Sequence, residues 1–123
     1  MGKHLLIIGI GGFLGSVSRY LTSVVVHKNW PSITVLGTFA ANILGCFLIG
    51  IIYGYYLKYD GLNSGWRLFL ATGFCGGYTT FSSFAFENTE MLQSGNYKMF
   101  IIYTLTSLIL GIMAVFGGLL LIK

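Results

Sequence analysis

Apolar residues run in four long stretches, roughly 4–26, 34–57, 66–93 and 98–122, joined by short polar connections. About 20 apolar residues carry a helix across the hydrocarbon core of a bilayer. The pattern therefore predicts an all-α integral membrane protein with four transmembrane helices, forming a single domain over 1–123. The first stretch is too long for a removable signal peptide and lacks a small-residue cleavage site in a polar flank, which makes it a retained helix. The third stretch interrupts its own pattern with Gly73-Phe-Cys-Gly-Gly-Tyr-Thr-Thr-Phe-Ser-Ser-Phe-Ala-Phe-Glu87. Gly76 and Gly77 are expected to release the backbone there, and Thr79, Thr80, Ser82 and Ser83 offer oxygens that satisfy freed backbone groups or coordinate an ion. Non-helical backbone survives at membrane depth only where protein or a cavity covers it. The third helix is thus expected to be broken in mid-membrane, where membrane proteins commonly place ion sites.

Composition sharpens this reading. The chain is 55% hydrophobic and 8% charged with a mean hydropathy of +0.82, against about 25% charged residues in soluble domains. An even number of spans puts both termini and the loop at 58–65 on one side, which carries Lys3, Lys58, Arg67 and Lys123, while the other side carries Lys28 and Lys98. Lys and Arg in short loops set orientation, so this weak bias permits insertion either way round. The net charge of +4 is spread thinly and argues for no nucleic-acid partner. Cys46 and Cys75 lie in apolar spans and make neither a disulfide framework nor a metal spacing. Trp30, Tyr55, Tyr56, Tyr59, Trp66 and Tyr97 read as interfacial anchors in contact with lipid. Four thin, glycine-bearing helices enclose a pathway poorly alone, so an oligomer is expected.

Within the first span Gly11 and Gly15 form a Gly-xxx-Gly pair suited to close helix packing; Leu14 occupies the place where a phosphate-cradling motif needs its third glycine. Arg19 lies one turn further on, at a depth where it must reach water or an acceptor. His27 has no second ligand nearby. In the second span Thr38, Asn42 and Cys46 share a face; the Asn42 amide is either glue between helices or a donor aimed at an anion. Phe81 and Phe84 share a face after the break, as core packing or as ring edges that meet an anion. Arg19 and Glu87 both travel toward the same side, so a salt bridge or a charged vestibule is expected from them. Tyr103 and Ser107 stand at i, i+4 on the fourth span; their hydroxyls form a polar track or bond their own helix carbonyls. Gly111 and Val115 offer that face no further hydroxyl.

Three stretches, Gly11-Gly12-Phe-Leu-Gly15-Ser-Val-Ser-Arg19-Tyr20, Gly37-Thr38-Phe-Ala-Ala-Asn42-Ile-Leu-Gly45 and Gly76-Gly77-Tyr-Thr79-Thr80-Phe81-Ser82-Ser83-Phe84 with Glu87, together resemble the CrcB/Fluc fluoride channels. The resemblance covers the whole chain in length, order and span count. It implies an antiparallel, dual-topology homodimer with two narrow pores that pass fluoride and reject chloride. It also implies a structural, untransported sodium ion at the dimer centre, held by backbone carbonyls at Gly76 and Thr79. By the same resemblance Asn42, Phe81, Phe84, Ser82, Ser83, Tyr103 and Ser107 line the fluoride pathway, and the cell membrane is the place of work. Neutral HF crosses membranes and ionises in a near-neutral cytoplasm, so the trapped anion needs an exit. Gly111 and Val115 shorten the polar track relative to longer ones in the family.

The leading rival is a proton-coupled small multidrug transporter, which also uses four short spans. It needs a deep carboxylate, for which Glu87 is the only candidate. A non-transporting membrane subunit leaves the interrupted third stretch unexplained, and no nucleophile, base and orienting group converge as an enzyme requires.

Overall fold

The computed structural model describes residues 1–59 and 63–122; Asp60 and Gly61 of the expected 58–65 loop, and Lys123 of the charge tally, lie outside the described residues. α1 (Gly2–Asn29) and α2 (Leu36–Tyr59) are joined by a short turn around Pro31, with Trp30 N–H closing on Val26 O and Leu36 N–H on Ile33 O. Proline supplies no N–H and ends the first helix cleanly. α3 spans 64–78 in three segments, an opening turn Ser64–Arg67, a π-helical stretch Leu68–Cys75 and a last turn Gly76–Tyr78. α4 (Phe81–Gln93) follows after two extended residues, and α5 (Tyr97–Ile122) completes the chain. Gly95 at φ 78° turns α4 into α5, the left-handed position that favours glycine. Asn96 Oδ1 accepts the Met99 N–H at the start of α5.

α1, α2 and α5 are each long and apolar enough to cross a membrane. The chain is a multi-pass membrane protein, and its surface matches one. Leu105, Leu108, Ile109, Ile112, Met113 and Phe116 on α5 are each more than half exposed, whereas the buried residues, glycines apart, are Val35, Ala41, Ala71, Cys75, Tyr78, Asn88 and Tyr103. Lipid replaces the solvent that would forbid such a surface.

The helices pair in two seams. α1 packs along α3 and α2 along α5. In the first seam, a Cβ at Gly11 would strike Phe69 O and one at Gly15 would strike Phe74 O, while Gly77 faces Gly12 O and Gly73 faces Ile8 O. In the second, Gly50 lies on Val115 O and Gly118 on Phe47 O. Small residues let backbones approach and replace the hydrophobic drive that lipid removes.

The break differs in place from the sequence expectation. Gly76 is helical at φ −61° and ψ −37°; the extended residues are Thr79 (φ −87°, ψ 158°) and Thr80 (φ −149°, ψ 119°). Gly77 is needed instead because α1 comes so near at Gly12. β-branched threonines favour extended backbone, and their hydroxyls cap both ends of the gap. Thr79 Oγ1 donates to Cys75 O at 2.9 Å, and Thr80 Oγ1 accepts the Ser83 N–H at 3.2 Å.

Candidate functional site

The break is held from two sides. Asn42 on α2 donates Nδ2 to Thr80 O at 3.1 Å and accepts the Thr80 N–H on Oδ1 at 2.7 Å. Its carboxamide pairs with both backbone groups of one residue, as a neighbouring strand would. One amide N–H is left over, because a carboxamide carries two. From the other side Arg19 on α1 donates Nε to Gly77 O at 3.2 Å. A cation at the C-terminal end of α3 also complements the helix dipole.

Beside the break lies a groove of about 340 Å³ lined by Asn42, Gly45, Cys46, Thr79, Thr80, Phe81, Phe84 and Ser107 among others. It gathers four of the expected pathway residues, Asn42, Phe81, Phe84 and Ser107, from three helices. Phe81 is 80% exposed, so ordinary packing within one chain does not account for it. Its ring stands 5.9 Å from that of Phe84, which in turn lies 5.1 Å from the ring of Tyr103, both pairs tilted. Ser107 Oγ is buried and has no hydrogen-bond partner among the described residues. A buried hydroxyl without a partner costs stability, and in a groove lined mainly by apolar residues it is one of the few groups suited to a water or an anion.

Tyr103 faces two ways. Buried on α5, it meets Phe84 with its ring and donates its hydroxyl to Glu87 Oε1 at 2.7 Å. Thr38 Oγ1 donates to Glu87 Oε2 at 2.8 Å. Glu87 also lines a cleft of about 620 Å³ beneath the α1–α2 and α4–α5 turns, shared with Glu90, Ser94 and Asn96. An unbroken series of contacts thus runs from this outer cleft through Glu87, Tyr103 and Phe84 to the groove.

Several expectations are placed or corrected by this geometry. The salt bridge proposed between Arg19 and Glu87 does not form: Arg19 holds the Gly77 carbonyl, and Glu87 is taken up by two hydroxyl donors. A buried charge needs partners of some kind, and neutral ones are in reach. Ser83 is engaged by Thr80 Oγ1, and exposed Ser82 lies 3.3 Å from the same oxygen, so both serve the start of α4 and neither lines the groove. Thr38 was read only as sharing a face with Asn42, and its bond to Glu87 joins α2 to α4 across 49 residues. Thr80, read as one hydroxyl among four, is the residue on which the break turns.

The carbonyls left by the break bear on a cation. In an uninterrupted helix Thr80 N–H would close on Gly76 O and Phe81 N–H on Gly77 O. Asn42 takes the first donor, and Arg19 occupies the second acceptor. Among the described residues no hydrogen bond reaches the carbonyl oxygens of Gly76 and Thr79, and no group of three or more His, Cys, Asp or Glu is placed to hold a metal. Hard cations such as sodium accept carbonyl oxygen, so these two positions fit one.

A family model described as "CrcB-like protein, Camphor Resistance (CrcB)" matches residues 6–119. The chain is 45% identical over 118 residues to a fluoride-specific ion channel FluC of Azobacteroides pseudotrichonymphae, covering 96% of this chain and 94% of that one. It is 44% identical to the protein of the same name from Flavobacterium psychrophilum, covering 98% of each, and 44% identical to that from Gloeothece citriformis, covering 98% and 97%.

Proposed function

The chain belongs to the CrcB family, a family of ion channels and not of enzymes, and on that footing we propose that it is a fluoride-selective passive channel of the cell membrane, working as an antiparallel homodimer. The observation that carries the proposal is the groove in which Asn42, Phe81, Phe84 and the unpartnered Ser107 hydroxyl converge next to the break. A small, strongly hydrated anion enters a low-dielectric passage only if donors replace its water. Ser107 Oγ–H, the spare Asn42 N–H and the positive ring edges of Phe81 and Phe84 are such donors. Each is modest, and conduction needs sites that release as readily as they bind. Tyr103 and Thr38 hold Glu87 by its two oxygens, which keeps that carboxylate in place at the outer end of the route.

A second copy completes the site. Phe81, exposed on one chain, is covered by the partner, and the near-even spread of Lys and Arg lets one sequence insert both ways. Gly76 O and Thr79 O from each copy would hold a structural sodium ion at the dimer centre, whose charge would lower the cost of an anion nearby. An inside-negative potential then drives cytoplasmic fluoride outward and protects the cell from it.

The test is fluoride efflux from liposomes carrying the purified protein, read with a fluoride electrode, with chloride-loaded vesicles alongside and a Phe81→Ile variant. Rapid release of fluoride only, weakened in the variant, is expected. No release from folded dimers overturns the proposal. Glu87→Gln separates it from a proton-coupled transporter: passive fluoride flow persists, whereas coupled export vanishes.

A further inference from the structure

Asn42 lines the groove and also decides which carbonyls the break sets free. Its Oδ1 holds the Thr80 N–H at 2.7 Å, the donor that a continuing helix would return to Gly76 O. Its Nδ2 also reaches Thr80 O at 3.1 Å, where Thr80 is extended at ψ 119°. Arg19 binds Gly77 O and leaves Gly76 O and Thr79 O alone. Two side chains from two other helices therefore choose the free acceptors, and only one of them, Asn42, is shared with the groove.

We propose that Asn42 is a positioning residue for the cation as well as a donor of the groove, so that cation binding at the break and the shape of the anion route are set by one carboxamide. This rests on the channel and cation reading above and goes beyond it by making the two sites energetically linked. When the carboxamide is removed, the Thr80 N–H has no partner in an apolar setting and closes on Gly76 O, which takes a ligand from the cation. Linkage is reciprocal, so a cation bound at Gly76 O favours the arrangement in which Asn42 stays on Thr80.

The experiment is thermal unfolding of the purified dimer in detergent, titrated with sodium against N-methyl-D-glucamine at constant ionic strength. Wild type is expected to gain stability with a defined sodium midpoint. Asn42→Ala should raise that midpoint by about tenfold or more, the scale of one lost polar ligand. Ser107→Ala, which alters the same groove without touching the break, should keep the wild-type midpoint. Should Asn42→Ala fail to fold, Asn42→Asp carries the test, since it retains an oxygen for the Thr80 N–H. Its midpoint should lie at or below wild type while fluoride efflux falls. An unshifted midpoint in Asn42→Ala, a raised one in Asn42→Asp, or an equal shift in Ser107→Ala overturns the proposal. A wild type indifferent to sodium overturns it together with the cation site. Fluoride efflux from liposomes made with the same purified proteins reports on the channel reading separately.

Discussion

The α1–α3 seam and the α2–α5 seam are built alike and end differently. Both bring glycines onto a neighbour's carbonyls, Gly15 on Phe74 O in one and Gly50 on Val115 O in the other. Both finish with a basic side chain on a helix's last carbonyls: Arg19 Nε on Gly77 O, and Lys58 Nζ on Ile122 O at 2.9 Å. The second cap is exposed at the end of α5, where water serves as well. The first is partly buried at the end of α3, with α4 still to come. The same packing device thus yields plain scaffolding when the helix stops at the surface, and a candidate site when it stops within the fold. What differs is the shortage of alternative partners, which makes each remaining carbonyl and hydroxyl significant.

Substitutions can break or sharpen that contrast. The largest effect is expected from Gly15→Ala and Gly50→Ala. Each new methyl meets backbone, which cannot swing aside, so each should lose about 3 kcal/mol, read as the unfolding midpoint of the detergent-solubilised protein. A loss in one seam only would mean that the two are not equivalent. Next, Arg19→Ala should cost about 2 kcal/mol, since it strips a charged donor from a partly buried carbonyl. Lys58→Ala, at the exposed end, should cost about 0.5 kcal/mol; equal losses from the two would remove the contrast altogether. Ser107→Ala should leave stability unchanged or raise it by up to about 1 kcal/mol, because its hydroxyl has no partner to lose. Its fluoride efflux should nevertheless fall by about tenfold, a split that a merely structural serine would not produce. Gly9→Ala, whose methyl meets nothing within 4 Å, should change neither stability nor efflux.

Much of this was legible in the chain. Period and length predicted helices within a few residues of those found, because a bilayer demands a fixed apolar length and complete internal hydrogen bonding. The interruption at 73–87 was visible as a clash between glycine, hydroxyl and apolar residues. Its exact position was not. Glycine is permissive in isolation, so Gly76 and Gly77 drew the break toward themselves; in the fold Gly77 is required by the nearness of Gly12, and the threonines two residues on turn the chain. Arg19 was legible as a residue in need of a partner, but the partner was misread. An opposite charge is the obvious choice from sequence, whereas a bare carbonyl at a helix end exists only once the helix has ended.

The sequence alone determined that the chain is helical, that it resides in a membrane, and that residues 73–87 are where its chemistry is to be sought. Those follow from local composition and period, which need no neighbours. Only the tertiary structure decided that Asn42 reaches Thr80, that Glu87 answers to Tyr103 and Thr38, and that Ser107 is left without a partner. Hydrogen bonds between groups 16 to 49 residues apart depend on which helix faces pack together, and sequence spacing along one helix carries no record of that.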